Sequence, residues 1–254
     1  MTTIKDILNF FEEFAPVATA MDFDNCGLLV GNKDTGIHKA LIALDITNEV
    51  VQEAETLDCN LIISHHLVIF HPLKKIGSTS VVYQLAAKGI SAVCMHTNLD
   101  LSQNFGVNTC LAKAIGLKNV HLCENGECLF MGELSDESPV DIDTFARTVK
   151  QNLNCTGLRY TQSCRKITKV AVSSGAGGNN VYAAKAEGAD VLVTGEIRHH
   201  EILDANSAGL AIVDAGHFRT EDVVIAPLCE KLNKNFSDIE FIKSEIFSDN
   251  VKYL

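Results

Sequence analysis

The hydrophobic pattern alternates between short, continuously apolar runs and longer segments with helical spacing. In the first half of the chain, apolar runs at residues 38–46, 60–64 and 90–95 predict three strands. A helical pattern follows each run, and the third ends at Gly116. Strands that are apolar along their whole length are typical of a parallel sheet that helices cover on both faces.

The second half of the chain repeats this pattern. Residues 167–174, 189–195 and 210–216 predict three more strands, and a helical pattern follows each of them. The two halves share the pattern more than they share identical residues. The repetition nevertheless predicts two units with a similar order of strands and helices.

We therefore expect an α/β protein with two linked three-layer α/β/α units of similar topology. Their sheets should be mostly parallel. We place the junction near residue 124, where the pattern changes. The first α/β unit would then span residues 1–124 and the second 125–254, with interleaving of the two units left open.

Composition narrows the classes of function. The 254 residues include 32 Asp and Glu against 21 Lys and Arg, which gives a net charge of −11. Because unspecific nucleic-acid binding depends on Lys and Arg neutralising phosphates, this charge argues against direct nucleic-acid binding. Nine cysteines without a CxxC pair fit reduced thiols in a cytoplasmic protein. No apolar run approaches the roughly 18 residues of a membrane span, so we expect no membrane segment.

Metal-type side chains follow four of the predicted strands. Because ligands bind beyond the carboxyl ends of parallel strands, we expect these side chains at one edge of each sheet. A single histidine at a strand end is more often a hydrogen-bonded residue than a ligand, so the coincidence of four segments matters. The segments are SHH at residues 64–66, HTNLD at 96–100, GEIRHH at 195–200 and GHFRTE at 216–221.

The candidate ligands are imidazoles and carboxylates, without a thiolate. Such a set suits Zn, Mn, Fe, Co or Ni. The adjacent His65 and His66 project in different directions and can serve two ions, and Asp100 can bridge them. With His217 and Glu221, this set is interpreted as a site for two divalent metal ions per subunit. Two such ions lower the pKa of a bridging water and generate hydroxide near neutral pH.

This chemistry needs a general acid or base nearby. Glu196, His199 and His200 are the catalytic candidates, provided that the second unit folds over the first. Simpler explanations exist, because polar residues are common at a helix start and Glu221 could complement a helix N-terminus. The glycine-rich segment 173–179 could bring backbone N–H groups to an anion. A tight turn between a strand and a helix explains this segment equally well.

Several ordered motifs resemble a known family, the Nif-three-like proteins, also described as homologues of a type-2 GTP cyclohydrolase I. The motifs cover essentially the whole chain: DFDNCGLLVG (22–31), ISHHLVIFHPLKKI (63–76), HTNLD with GVN (96–108), GEIRHH (195–200) and AGHFRTE (215–221). The resemblance implies two linked α/β units that build a ring-shaped homohexamer, with a dinuclear metal centre in a metal cleft between the two units. Carried over by position, the family's ligands fall on His65, His66, Asp100, His217 and Glu221.

The chain departs from the family pattern at three positions outside this ligand set. Leu67 stands where the family usually has proline, Cys26 where it often has valine, and Phe218 where it has a tyrosine-like residue. The departures therefore leave the metal site intact and bear on the shape of the loop beside His66.

Two hypotheses for function follow. The first is a metal-dependent, GTP cyclohydrolase-like hydrolase that uses metal-bound hydroxide on a nucleotide-like or other polar small-molecule substrate. The alternative is a non-enzymatic hexameric scaffold or metal-delivery protein that interacts with other proteins. The residues do not identify a guanine pocket, so the substrate stays open at this point.

Overall fold

The computed structural model describes residues 1–134, 139–246 and 248–254. The chain divides into two compact units, each made of two stretches. The first unit contains Met1–Leu99 and Ile225–Ser248, and the second contains Asp100–Val224 and Asp249–Leu254. This division differs from the single junction near residue 124 that we expected from the sequence.

The described residues form strands and helices throughout. The strands are β1 (Gly27–Val30), β2 (Lys39–Ala43), β3 (Leu61–Ser64), β4 (Ser91–Cys94), β5 (Leu117–Leu122), β6 (Phe130–Leu134), β7 (Arg159–Tyr160), β8 (Lys169–Ser173), β9 (Val191–Thr194), β10 (Ala211–Asp214) and β11 (Glu240–Lys243). The helices are α1 (Ile4–Glu12), α2 (Asn48–Thr56), α3 (Val81–Lys88), α4 (Thr97–Asp100), α5 (Val107–Ala114), α6 (Ile142–Asn152), α7 (Val181–Ala186), α8 (His199–Ala208), α9 (His217–Glu221) and α10 (Ile225–Asn235). Short 3₁₀ turns lie at Val17–Thr19, Gly177–Asn180 and Asp222–Val224.

The first unit is built on a five-stranded sheet with the order β1-β4-β3-β2-β11. Strands β4, β3, β2 and β11 run parallel, and β1 runs antiparallel to β4. The last strand, β11, pairs with β2 through Phe241 opposite Ala40. This pairing is the reason that the stretch Ile225–Ser248 belongs to the first unit, and hydrophobic periodicity does not reveal it.

The second unit contains a six-stranded sheet with the order β5-β6-β8-β9-β10-β7. Its central strands β8, β9 and β10 are parallel, and the pairs on either side of them are antiparallel. The expectation of mostly parallel strands therefore describes the first sheet and the centre of the second. Both units are α/β structures with helices against their sheets, as the sequence predicts.

The sheet of the second unit is covered on both faces. Val170 and Val172 of β8 belong to one buried cluster, while Ala171 between them belongs to another. Because successive strand residues point to opposite faces, the two clusters lie on the two sides of the sheet. Strands β9 and β10 are consequently buried along their whole length, as is β8 after Lys169, and this explains their continuously apolar sequences.

A glycine ends the helix before β4 of the first unit and the helix before β10 of the second unit. Gly89 after α3 and Gly209 after α8 both have a φ of 67°, the left-handed conformation that glycine adopts at a helix C-terminus. After each glycine the backbone turns directly into the next strand, which is β4 after Gly89 and β10 after Gly209. Within the described ranges, the helices are too short or too polar to traverse a lipid bilayer.

Candidate metal centre

Three histidines of the first unit come together at the ends of two neighbouring strands. His65 and His66 follow β3 directly, and His96 comes two residues after β4. Ser64 and Cys94 are opposite each other in the sheet, so both strands end at the same level. The ring centroids of the three histidines are 5.0, 5.2 and 5.8 Å apart. We refer to His65, His66 and His96 as the three-histidine cluster.

Each ring of the three-histidine cluster is oriented by a hydrogen bond from its Nδ1 atom. All three acceptors are oxygen atoms, so each Nδ1 carries the proton and Nε2 is the nitrogen with a lone pair for a metal. One ligand atom from each residue lies within 4.8 Å of the other two. The bonds join His65 to Met95 O at 2.9 Å, His66 to Asp45 Oδ1 at 2.9 Å and His96 to Asp24 Oδ2 at 3.0 Å.

Asp24 is a buried carboxylate that fixes His96. Its Oδ2 atom also accepts hydrogen bonds from Thr97 N at 3.0 Å and from Thr97 Oγ1 at 2.5 Å. Burial raises the pKa of Asp24, but the hydrogen bonds from His96 and Thr97 lower it more, to well below the ordinary value. The carboxylate is therefore charged at neutral pH and holds the imidazole in one orientation.

Cys26 is a thiol beside this arrangement. Its Sγ atom lies 3.3 Å from Asp24 Oδ2 and 3.4 Å from the backbone nitrogen of His96. Burial raises the pKa of Cys26 to about 12, so the thiol is protonated near neutral pH in the metal-free chain. The three grouped candidate ligands of the first unit, His65, His66 and His96, are all imidazoles.

The second unit presents His217 and Glu221 on one face of α9. A separation of four residues brings His217 Nε2 to 3.1 Å from Glu221 Oε2. The Nδ1 atom of His217 lies 2.9 Å from Glu196 Oε1. Burial lowers the pKa of His217, but the two carboxylates raise it more, to about 9. Without metal the imidazole is protonated at neutral pH, and a divalent ion would replace that proton.

Two glycines make room for α9 in the second unit. A Cβ atom at Gly175, which follows β8, would overlap Glu221 Oε1 and lie 3.2 Å from His217 Nε2. A Cβ atom at Gly195, which follows β9, would lie 2.7 Å from the Cα atom of His217. Both glycines are therefore required for the close approach of the ligand residues to the strand ends.

The glycine-rich segment that starts at Ser173 is a packed turn. The backbone N–H groups at its start donate to side chains of the second unit, so they are already used within the fold. The simpler of the two sequence interpretations, a tight turn between strand and helix, agrees with these bonds. The bonds run from Ser174 N to Asn108 Oδ1 at 2.8 Å, from Gly175 N to Thr220 Oγ1 at 3.1 Å and from Gly177 N to Thr194 Oγ1 at 3.0 Å.

Asp100 ends α4 and belongs to the second unit in the structure, whereas the sequence placed it in the first. The residue is only 8% exposed. Its Oδ1 atom lies 3.5 Å from Ser174 Oγ, next to the position where Gly175 approaches Glu221. Two carboxylates and one imidazole of the second unit therefore lie around the end of β8.

The three catalytic candidates lie at the end of β9 and the start of α8. Glu196 is exposed, and its carboxylate contacts His217. His199 and His200 are the first two residues of α8, and both are exposed. The structure thus brings Glu196 to a candidate ligand, while His199 and His200 lie on the surface of the second unit.

Sequence reasoning placed His66 in the ligand set and left His96 out of it, and it missed the carboxylates behind both rings. Asp45 lies two residues after β2, so the strand-end criterion could have found it. Asp24 lies in the loop before β1, inside the DFDN motif, and only the fold brings it to His96. The resulting nitrogen and oxygen donors fit Zn, Mn, Fe, Co or Ni.

The chain is similar to known proteins over nearly its whole length. The chain matches the model of the Duf34/NIF3 (NGG1p interacting factor 3) family over residues 2–250. A GTP cyclohydrolase 1 type 2 homolog from Clostridium perfringens is 31% identical, with 99% of each chain covered. The crystal structure of the Staphylococcus aureus hypothetical protein SA1388 has a TM-score of 0.91 at 30% identity, with 99% of both chains covered. Reduced HcgD from Methanocaldococcus jannaschii has a TM-score of 0.82 at 29% identity, covering 96% of this chain and 98% of its own.

Proposed function

The chain belongs to the Duf34/NIF3 family, and from that premise we propose that each subunit binds two divalent metal ions. The proposed ligands are His65, His66, Asp100, His217 and Glu221. We further propose that the subunits assemble as a homohexamer, as the sequence resemblance implies. The identity of the metal is restricted to Zn, Mn, Fe, Co or Ni by the nitrogen and oxygen donors.

The orientation of the imidazoles carries this proposal. His65, His66 and His217 each direct Nδ1 to an oxygen acceptor at 2.9 Å. Metal-binding histidines almost always donate their second ring N–H in this way, because the bond fixes the ring and increases the basicity of the ligand atom. A buried histidine that binds no metal usually has a hydrogen-bond partner as well, so one such bond decides nothing. The same orientation in all three histidines of the proposed ligand set is what favours ligands.

The reaction that we propose is hydrolysis of a polar small molecule. Two bound ions of this kind would lower the pKa of a coordinated water and supply a nucleophile near neutral pH. Glu196 orients His217, and with His199 and His200 it is a candidate for proton transfer. Nucleotides are the first substrate class to test, because curated relatives are named GTP cyclohydrolase 1 type 2 homolog.

A second candidate is a metal-binding scaffold or metal-delivery protein. The description of the family, NGG1p interacting factor 3, favours an interaction with other proteins. Turnover that disappears in His65→Ala would support the enzyme. Transfer of metal to an acceptor protein without turnover would support delivery.

Metal content per chain tests the proposal. Elemental analysis of protein purified without chelators should find close to two metal ions per chain, and fewer in His65→Ala and Glu221→Ala. His71→Ala is the matched control, because His71 is an exposed histidine of the first unit. An absence of metal that persists after addition of each of the five ions would overturn the proposal.

A further inference from the structure

We propose that the side chains of Phe23 and Phe70 bind the planar base of a nucleotide beside the three-histidine cluster. This inference rests on the proposed function, because it assigns residues that would recognise a substrate of the nucleotide class. Both residues would determine specificity, and neither is a proposed metal ligand. We refer to Phe23 and Phe70 as the aromatic pair.

The aromatic pair is exposed to solvent. Phe23 is 56% exposed and Phe70 is 44% exposed. Every other phenylalanine that the structure describes is buried or partly buried. Removing such a large apolar side chain from water is favourable, so two neighbouring exposed rings indicate a surface that another molecule covers.

The two rings lie next to each other at a defined angle. Their centroids are 6.2 Å apart and their planes are tilted by 37°. Phe70 also contacts the ring of His71 at a right angle, with centroids 4.7 Å apart. These separations are typical of aromatic contacts, and the tilt means that Phe23 and Phe70 do not cover each other face to face. The pair is therefore close enough for one fused ring system to contact both rings.

The position of Phe23 is fixed beside the three-histidine cluster. The next residue, Asp24, accepts a hydrogen bond from His96 Nδ1 at 3.0 Å. Strand β1 runs antiparallel to β4 with Gly27 opposite Cys94, so the loop before β1 lies at the end of β4. Phe23 is consequently carried by the loop that orients one imidazole of the cluster.

Phe70 lies in the loop that begins with the other histidines of the cluster. It follows His66 by four residues. Asn25 Nδ2 donates a hydrogen bond to Ile69 O at 2.9 Å, and this bond ties the loop of Phe70 to the loop of Phe23. Because the two loops are joined to each other and to the cluster, the aromatic pair has a set position relative to the candidate ligands.

The surroundings of the pair favour a nucleobase over a wholly apolar ligand. A base stacks on an aromatic side chain through its flat face and keeps its polar edge for water or hydrogen bonds. A wholly apolar molecule would instead cover polar groups near the pair, such as the carboxylate of Asp24, without replacing their hydrogen bonds to water. Phosphate oxygens bind divalent ions in two-metal sites. One nucleotide can thus combine a base on the aromatic pair with a phosphate at the proposed metal ions.

Contact with a second copy of the chain is the competing explanation for the exposed rings. Leu73 and Ile76 of the same loop are also exposed, at 49% and 55%. If another copy covered this loop, loss of the aromatic pair would weaken assembly and leave nucleotide binding unchanged. The attachment of both rings to the loops of the three-histidine cluster favours the nucleotide.

The experiment measures ligand affinity on the full chain, as purified, by isothermal titration. GMP, AMP and UMP are the probes, and ribose 5-phosphate is the probe without a base. Phe23→Ala and Phe70→Ala should each weaken nucleotide binding by about 5- to 150-fold, which is the effect of losing one stacked ring, and leave binding of ribose 5-phosphate unchanged. Leu203→Ala is the control at a 53% exposed side chain of the second unit, and it should change neither affinity.

Fluorescence provides a second measurement that keeps an aromatic ring in place. The chain contains no tryptophan, so Phe23→Trp introduces a single indole. A stacked base should quench its emission to saturation with GMP, AMP or UMP, and ribose 5-phosphate should leave it unchanged. Leu203→Trp, the matched control, should show no saturable quenching.

The outcomes distinguish this inference from the proposed function. Metal content is measured on the same samples and should stay the same in Phe23→Ala and Phe70→Ala. If the chain binds two ions but none of the three nucleotides, or binds them equally well in both variants, the role of the aromatic pair is wrong and the metal-binding function stands. A chain that binds no metal would overturn the proposed function, whatever its affinity for nucleotides.

Two further results would contradict the inference. Equal weakening of nucleotide and ribose 5-phosphate binding would show that the pair does not recognise the base. Dissociation of the assembly in Phe23→Ala or Phe70→Ala, measured by sedimentation and without a change in nucleotide affinity, would assign the rings to a contact between copies. If neither alanine variant folds, Phe23→Trp decides, and emission that none of the three nucleotides quenches to saturation overturns the inference.

Discussion

The two units present candidate ligands in opposite ways. In the first unit, the candidate ligands at the strand ends are imidazoles and carboxylates lie behind them, as in the pair of His66 and Asp45. In the second unit, the carboxylate of Glu221 lies beside His217 on the same helix face. The first arrangement depends on the register of two parallel strands, and the second on a helix that is pressed against two glycines. The candidate ligands of the first unit should consequently respond most to removal of the carboxylate charge behind the rings. Those of the second unit should respond most to added side-chain volume between α9 and the strand ends.

We expect the largest effect on stability from added side-chain volume beneath α9. Gly195→Ala should lower the free energy of unfolding by about 1–3 kcal/mol, because its Cβ atom would lie 2.7 Å from the backbone of His217. The same shift should reduce the metal content of the second unit. Urea unfolding and elemental analysis measure the two effects.

Gly77→Ala is the control for this volume effect. Among the described residues, no heavy atom outside its chain neighbours lies within 4 Å of a Cβ atom at position 77. Equal stability of the two variants would remove the distinction between the units.

The sensitivity to charge predicts a large effect in the first unit. Asp45→Asn should weaken metal binding by about 10- to 100-fold, because it removes the charge that orients His66 and increases its basicity. Isothermal titration with a divalent ion measures the change. Asp34→Asn, at an exposed carboxylate of the same unit, should bind as tightly as the unsubstituted chain. A weakening of less than threefold in Asp45→Asn would argue against the role of the carboxylate.

The protonation of His217 predicts a pH effect in the second unit. Its pKa in the folded, metal-free chain is raised to about 9, above the value of about 6.5 for an unperturbed histidine. The stabilisation is therefore complete below about pH 6.5 and disappears as the pH rises through about 9. Urea unfolding of chelator-treated protein should show that His217→Gln is destabilising at pH 6 and much less so at pH 10.

Glu196→Gln refines this pH experiment. The substitution removes one of the two carboxylates that raise the pKa of His217. The free energy of unfolding of Glu196→Gln at pH 6 should therefore lie between the values for the unsubstituted chain and for His217→Gln. A pH-independent difference for His217→Gln would show that the ring is neutral in the metal-free chain.

The smallest effect is expected at Cys26. Cys26→Val should change the free energy of unfolding by no more than about 1 kcal/mol, because the two side chains are similar in size and only two weak hydrogen bonds of the sulfur are lost. Metal content should stay the same, since Cys26 is not one of the proposed ligands. A loss of metal in this variant would show that the Cys26 thiolate is a ligand. The first unit would then differ less from the second, because it would not bind metal through imidazoles alone.

The sequence predicted the central strands and the residues after them, because both depend on local patterns. It did not predict β1 and β11. These strands have four residues each and are defined by their pairing with β4 and β2, which a local sequence pattern does not show. For the same reason Asp24 was missed, because its partner His96 is 72 residues away. The glycine-rich segment was ambiguous because the side chains that accept its N–H groups come from three distant elements.

The return of the chain to the first unit has a consequence for synthesis on the ribosome. Strand β2 is made early, but its neighbour β11 (Glu240–Lys243) is made about 200 residues later. The larger stretch of the second unit, Asp100–Val224, is encoded between the two stretches of the first unit and is therefore made before β11. A nascent chain arrested after residue 224 thus exposes an unpaired edge at β2. We expect proteases to cleave the first unit in this arrested chain and to spare it once the whole chain is released.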